Sequence, residues 1–332
     1  MTTMDEADKW TGQVLGGRYR VGPKLAEGGA GAVYRAEHLV LHEPVAVKVL
    51  HAEVATHPEM SKRFLREVTV AARLDHPNVV TMYDSGTLAD GSLYYVMELL
   101  EGMSLGEVMA TERLAAPRVL GLVRQLLDAL GHAHARGVAH RDVKPENVML
   151  VRRAGVETVK LVDFGIAGDE EAIEKLTATG VAFGTPEYLS PEMALGQKTS
   201  GRADLYAVGV MLFEMLTGRH PFAGLAGSAL VRAHALTPPP SPREVAPEAA
   251  ISPALEAVIL QALVKLPEAR FATAAEMKAA LIQAAVAPAT PPTVAGMDPP
   301  GEPSPSSPEE PASPERGWIK RLRSRFLGGS RS

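Results

Sequence analysis

The chain of 332 residues contains no cysteine. Disulfides, thiolate zinc sites and a cysteine nucleophile are therefore excluded, and the usage fits a reducing compartment. Basic charge is not in excess either. Its 34 Lys and Arg stand against 39 Asp and Glu, a net charge of −5, so total charge gives no sign of nucleic acid as the main partner. Long apolar runs are missing too. Leu205–Phe213 is too short to span a bilayer. The opening MTTMDEADKW carries three acids and no apolar run, so no secretory leader is expected. No internal repeat is visible. What is present is enough apolar residue, 46% of the chain, to bury a core in one large or two ordinary domains. These features predict a soluble protein of the cytoplasm.

Residues 1–17 read as a polar lead. From Arg18 to about Met97 the pattern is strand-rich. RYRVGPKL and AVYRAEH flank a glycine cluster, and PVAVKVL is short, β-branched and bounded by Pro44. MSKRFLREVTVAARL (60–74) predicts a helix with Phe64, Leu65, Val68, Ala71 and Ala72 on one face. VVTMYDSG and SLYYVMEL predict two more strands around an Asp90–Gly91 turn. After Glu101 the chain reads as helical. Val119, Leu122, Val123, Leu126, Leu127 and Leu130 recur at helical spacing up to Gly137. DLYAVGVMLFEMLTG (204–218) is apolar nearly all round, which predicts a buried helix. SPALEAVILQAL and TAAEMKAALIQAAV predict two more.

Several pieces carry chemistry. LAEGGAGAVY puts Gly28, Gly29 and Gly31 between two strands. A bare turn and a phosphate-covering hairpin both fit; no helix follows, which disfavours loops that seat phosphate on a helix N-terminus. Lys48 lies in the strand VAVKVL, where the ordinary reading is a solvent-facing side chain. One more antiparallel strand after the hairpin would instead put its ammonium beside phosphates. Glu67, in the following helix, is either an exposed carboxylate or the partner that holds Lys48. Asp163 ends an apolar strand in LVDFG, either as a turn former or, with Asn147 of HRDVKPEN, as a pair of hard oxygen ligands suited to Mg²⁺. The three histidines of HAHARGVAH read as a helix end rather than a metal site.

In this order and spacing the pieces resemble the protein kinase superfamily over about residues 19–286. HRDVKPENVML and LVDFG are specific as a pair. FGTPEYLSPE (183–192), DLYAVGVMLFEMLTGRHPF (204–222) and LPEARF extend the match. The resemblance implies an α+β bilobal kinase fold spanning 18–286. A small β-rich N-lobe with one helix would occupy about 18–97, a hinge 98–101, and a larger, mostly helical C-lobe 102–286. It implies ATP and Mg²⁺ as cofactors and protein Ser or Thr hydroxyls as acceptors, the latter from Lys144 and Thr185. Asp142 would accept or orient the acceptor proton, and Lys144 would contact the transferring phosphoryl group. Asn147 and Asp163 would hold metal. Lys48, fixed by Glu67, would bind the α- and β-phosphates. Leu25, Gly28, Gly29, Gly31, Val33, Ala46, Met97 as gatekeeper, and Glu98 to Leu100 would line the nucleotide site. Arg270 would pair with Glu192, and Arg141 would receive a phosphate placed on Thr177 or Thr179. The compact lobes and the Pro-rich extension look most like bacterial eukaryotic-type Ser/Thr kinases.

One residue departs from the pattern: Ala26 replaces the first loop glycine, giving A-x-G-x-x-G, which suggests a stiffer loop. A pseudokinase scaffold and a small-molecule phosphotransferase are the alternatives. The full charged set Lys48, Glu67, Asp142, Asn147 and Asp163 argues against the first, and GTPEYLSPE against the second.

Composition breaks at Ala287. Between there and Glu315, 10 of 29 residues are Pro and 5 are acidic, the signature of an extended linker. Residues 316–332 carry six basic residues and no acid. Trp318, Leu322 and Phe326 fall on one helical stripe, a pattern suited to weak contact with an anionic inner-membrane surface; the alternatives are a solvated tail and one that docks on the kinase's own acidic surface. The sequence gives no oligomeric state.

Overall fold

The structure, a computed structural model, describes residues 9–28, 31–50, 68, 71–88, 90–153, 155–164 and 186–286. Six strands form one sheet in the order β1-β2-β3-β4-β6-β5: β1 Val14–Leu15, β2 Tyr19–Gly28, β3 Gly31–His38, β4 Glu43–Leu50, β5 Met82–Thr87 and β6 Leu93–Glu98. All pairings are antiparallel. The side-chain period of two sorts β4 between two apolar clusters. Val45, Val47 and Val49 join Tyr34, Tyr94 and Val96 on one face. Ala46 and Leu50 join Val80, Tyr95 and Met97 on the other. Lys48, between Val47 and Val49, therefore falls on the second face, which is the one that meets Asp163.

Residues 9–17, inside the segment read as a polar lead, contribute to this sheet. Leu15 is buried in the first cluster, and Trp10 packs against it. Two apolar side chains among charges are too few to show as a pattern in sequence.

The rest of the described chain is helical around one small sheet. That sheet, β7 Gly102–Ser104, β8 Val148–Arg153 and β9 Val156–Leu161, carries the β8–β9 hairpin. The helices are α1 Leu105–Thr111, α2 Ala116–His134, α3 Pro191–Ala194, α4 Gly201–Thr217, α5 Gly227–Leu236, α6 Pro242–Val245, α7 Pro253–Ala262 and α8 Ala274–Val286. Helix α4 is buried along almost its whole length and packs against α2 and α7, as its all-round apolar sequence requires. Gly209 lets that packing happen: a Cβ there would lie 2.7 Å from the Ala262 Cβ. Helix α1 begins in a capping box formed by Ser104 and Glu107.

Residues 76–80 tie the large sheet to the helical region. Asn78 donates from Nδ2 to the Val159 carbonyl at 2.9 Å and to Gln125 Oε1 at 3.1 Å, and Val80 N donates to the Leu161 carbonyl at 3.0 Å. No helix of the described residues is long and apolar enough to cross a membrane.

Candidate active site

The charged loop 140–147 is built from backbone upward. Asp204, in the first turn of α4, is buried and accepts three hydrogen bonds: from His140 N at 2.8 Å, Arg141 N at 2.7 Å and His134 Nε2 at 2.7 Å. A buried carboxylate needs such partners, and in return it fixes the loop's entry. Arg141 is held at φ +65°, a left-handed conformation unusual for a residue with a side chain. His140 is fully buried, receives Asp142 N on Nδ1 at 3.3 Å and donates from Nε2 to the Val162 carbonyl at 2.8 Å. The loop and the strand leading to Asp163 are thus joined through one imidazole.

These anchors present three side chains together. Lys144 Nζ donates to Asp142 Oδ1 at 3.0 Å and lies 2.8 Å from Oδ2. Asn147 Nδ2 donates to the Asp142 carbonyl at 2.8 Å and to Asp142 Oδ2 at 2.9 Å. Because both amide hydrogens point at Asp142, the amide oxygen of Asn147 is its remaining acceptor. Asp142 itself is half exposed, so it is oriented but still reachable from solvent.

The β8–β9 hairpin then brings Asp163 alongside. Val162 N donates to the Asn147 carbonyl at 3.0 Å. Asp163 has φ +54°, again left-handed. Its carboxylate receives Lys48 Nζ on Oδ2 at 2.7 Å and Tyr95 Oη on Oδ1 at 2.7 Å. Burial alone would raise the Asp163 carboxyl; the Lys48 charge and the hydrogen bonds from Lys48 and Tyr95 outweigh it and hold it below the usual carboxylate range.

Val33, Leu100 and Val162 pack against the cluster that contains Ala46 and Met97, so four of the residues expected to line a nucleotide meet there. Leu25 is 51% exposed at the edge of this region. The Glu98 side chain is occupied structurally, accepting from Thr81 N at 2.8 Å and pairing with Lys160 at 2.5 Å, and its own N–H donates to the Thr81 carbonyl at 2.9 Å.

The glycine hairpin divides by residue. A Cβ on Gly31 would lie 2.2 Å from the Val49 carbonyl oxygen, so β3 can approach β4 only with glycine there. Among the described residues a Cβ on Gly28 would meet nothing within 4 Å. Ala26 pairs with Val33 in extended strand, where a methyl group needs no unusual backbone. Gly29, Glu67, Thr177, Thr179 and Thr185 lie outside the described residues, so the Lys48–Glu67 pairing and the segment bearing the two threonines do too.

Arg270 and Glu192 meet as the sequence led us to expect, through Nη1–Oε1 at 2.9 Å and Nη2–Oε2 at 2.7 Å. Two contributors were not read from sequence. Asp204 was legible only as the lone acid opening an apolar helix. Tyr95 looked like one more aromatic in a strand.

The comparisons agree with this geometry. The protein kinase domain family matches residues 19–282. The chain is 46% identical over 266 residues to the serine/threonine-protein kinase Pkn1 of Myxococcus xanthus, covering 80% of this chain and 38% of that protein. It is 41% identical over 278 residues to the serine/threonine-protein kinase PknB of Mycolicibacterium smegmatis, covering 82% and 44% respectively. The chain therefore spans less than half the length of these two relatives. Among solved structures it is similar to the PknI kinase domain of Mycobacterium tuberculosis, with 31% identity, a TM-score of 0.66, and coverage of 82% of this chain and 98% of that one. A loop that orients an aspartate between a lysine and an asparagine, an aspartate held by a strand lysine, and a match along most of the chain lead to one assignment: the chain belongs to the protein kinase family.

Proposed function

We propose that the protein is a Mg-ATP-dependent serine/threonine protein kinase. The observation that carries this reading is the oriented Asp142, held by Lys144 and Asn147 beside an Asp163 already bound to Lys48. In the proposed transfer the acceptor oxygen bonds to the γ-phosphorus of ATP, the bond to the β-phosphate oxygen breaks, and ADP leaves. Asp142 orients the acceptor hydroxyl and takes its proton. Lys144 and Lys48 place positive charge where phosphoryl oxygens gather it, which is most of what this chemistry asks of a protein.

The donor set fits a hard cation. Asn147 offers an amide oxygen and Asp163 a carboxylate, and among the described residues no three His, Asp or Glu side chains form a metal cage of their own. Such a pair suits Mg²⁺, which completes its shell with phosphate and water. When bound, the cation supplies neutralisation of the phosphate charge.

The test is Asp142→Asn in the full chain. Phosphoryl transfer to a generic protein substrate should fall by about 10²–10⁴-fold, while ATP binding and melting temperature stay near wild type. Near wild-type turnover would remove Asp142 from its role.

The domain plan is part of the proposal: a kinase domain over 18–286, a linker over 287–315 and a basic tail over 316–332. So is regulation. Arg141 follows a fully buried His140, and its Nε is buried without a partner among the described residues. Its guanidinium is the proposed receiver of phosphate on Thr177 or Thr179, made by autophosphorylation in signalling. Peptide mass analysis after incubation with Mg-ATP should find that phosphate, and full activity in the double Thr→Ala variant would sink the switch. For the tail, weak salt-sensitive binding of a fused reporter to anionic vesicles is expected; equal sedimentation with neutral vesicles would turn attention to protein docking.

A further inference from the structure

Tyr95 deserves a role of its own. The β4–β6 register sets Tyr95 opposite Lys48. Neighbours across a sheet point to the same face, and here both side chains reach the same carboxylate, Lys48 at Oδ2 and Tyr95 at Oδ1, each at 2.7 Å. Tyr95 is 2% exposed. Its hydroxyl sits at a small recess lined also by Ala71, Val80, Met82, Asp163 and Phe164. Apart from Asp163 the lining among the described residues is apolar, so an aliphatic or phenyl side chain would pack against it as well as a phenol. The hydroxyl is the part that packing does not explain.

Two further observations bear on what it does. Asp163 sits in left-handed backbone, a conformation that persists only when its surroundings hold it. In addition, a phenol hydroxyl 2.7 Å from a carboxylate oxygen is the donor of that bond, so its O–H points at Asp163 Oδ1. A carboxylate offers about four lone-pair directions, and two donors use two of them. The remaining two are then fixed in direction.

We propose that the Tyr95 hydroxyl is a positioning group for Asp163, orienting its free lone pairs toward a divalent cation. This rests on the reading of Asp163 as a cation ligand. Outer donors of this kind act by restricting a ligand's orientation, and their loss commonly weakens metal binding tenfold or more.

The experiment compares the full chain as wild type, Tyr95→Phe and Asp163→Asn by calorimetry with a non-hydrolysable ATP analogue, first without metal and then across a MgCl₂ titration. The Phe variant keeps the ring and loses only the hydroxyl. It should bind the metal-free analogue as wild type does, yet need about tenfold more Mg²⁺ for half-maximal enhancement. Asp163→Asn should lose the enhancement. An unchanged or lower Mg²⁺ requirement in Tyr95→Phe, with the enhancement lost in Asp163→Asn, overturns the positioning role alone. Enhancement retained in Asp163→Asn overturns the ligand reading and the positioning role with it. If Tyr95→Phe melts below the assay temperature, Tyr95→Leu takes its place with the same expected shift.

Discussion

Two ion pairs in this molecule have similar lengths and opposite characters. Lys48–Asp163 in the cleft is a single contact of 2.7 Å between side chains 12% and 28% exposed. Arg270–Glu192 among the helices is a two-pronged contact between side chains 0% and 3% exposed. All five guanidinium hydrogens of Arg270 have acceptors, since Nε also donates to the Val264 carbonyl, Nη1 to Arg202 and Nη2 to Lys265. Saturation of every donor leaves that pair nothing to exchange with. The Lys48–Asp163 pair keeps solvent access and spare lone pairs, so under the proposed function phosphate and cation would compete for both partners. The lesson is that exchangeability, rather than distance, separates a working charge from a structural one.

The largest expected effect separates the two by function. Lys48→Met should lower phosphoryl transfer by about 10²–10³-fold while lowering the melting temperature by only about 2–4 °C. A collapse of the fold in this variant, seen by calorimetry, would break the comparison. Arg270→Ala should do the reverse. Leaving Glu192 buried without its cation costs about 3–5 kcal/mol, which is roughly 10 °C in a domain of this size. A thermal melt near wild type would show that water or relaxation satisfies Glu192.

A smaller effect sharpens the helical side through pH. Lys265 lies beside Arg270, donates to Tyr206 Oη at 3.1 Å, and is brought down to about 7 by burial first and by the Arg270 charge second. Between that value and the ordinary lysine range the unfolded chain binds more protons than the folded one, so this group makes stability rise with pH. Lys265→Met removes that dependence. From pH 10 down to 7 wild type should lose melting temperature relative to the variant, and below pH 7 the difference should stay constant. Parallel curves across the range would mean that Lys265 keeps its charge in the fold. The smallest effect belongs to the surface. Lys278 pairs with Asp128, which is 41% exposed. Lys278→Ala should cost about 0.2–1 kcal/mol, and a loss as large as that of Arg270→Ala would reverse the ranking by burial.

Long elements with a clear period were legible before the structure: β4, β6, α2, α4, α7 and α8. Short ones were not. Strands of two or three residues such as β1 and β7 are too brief to show alternation, and the seven residues of α1 are too few to show a helical period. In the site, Asp142, Lys144 and Asn147 come together within eight residues, so their meeting is a local property of one loop. Lys48 read equally as a solvent-facing strand residue, and the packing of the two faces of β4 put it on the side that meets Asp163.

What the sequence determined by itself was whatever depends on neighbours in the chain: the strand and helix periods, the charged loop, the glycine hairpin and the family. What only the tertiary structure decided was which distant groups share an atom. Lys48 and Asp163 are 115 residues apart and Tyr95 and Asp163 are 68 apart, while Asp204 closes on a loop 64 residues before it. The physical reason is that a hydrogen bond needs two groups within about 3 Å at a defined angle. That depends on strand register and helix packing, which no local pattern records.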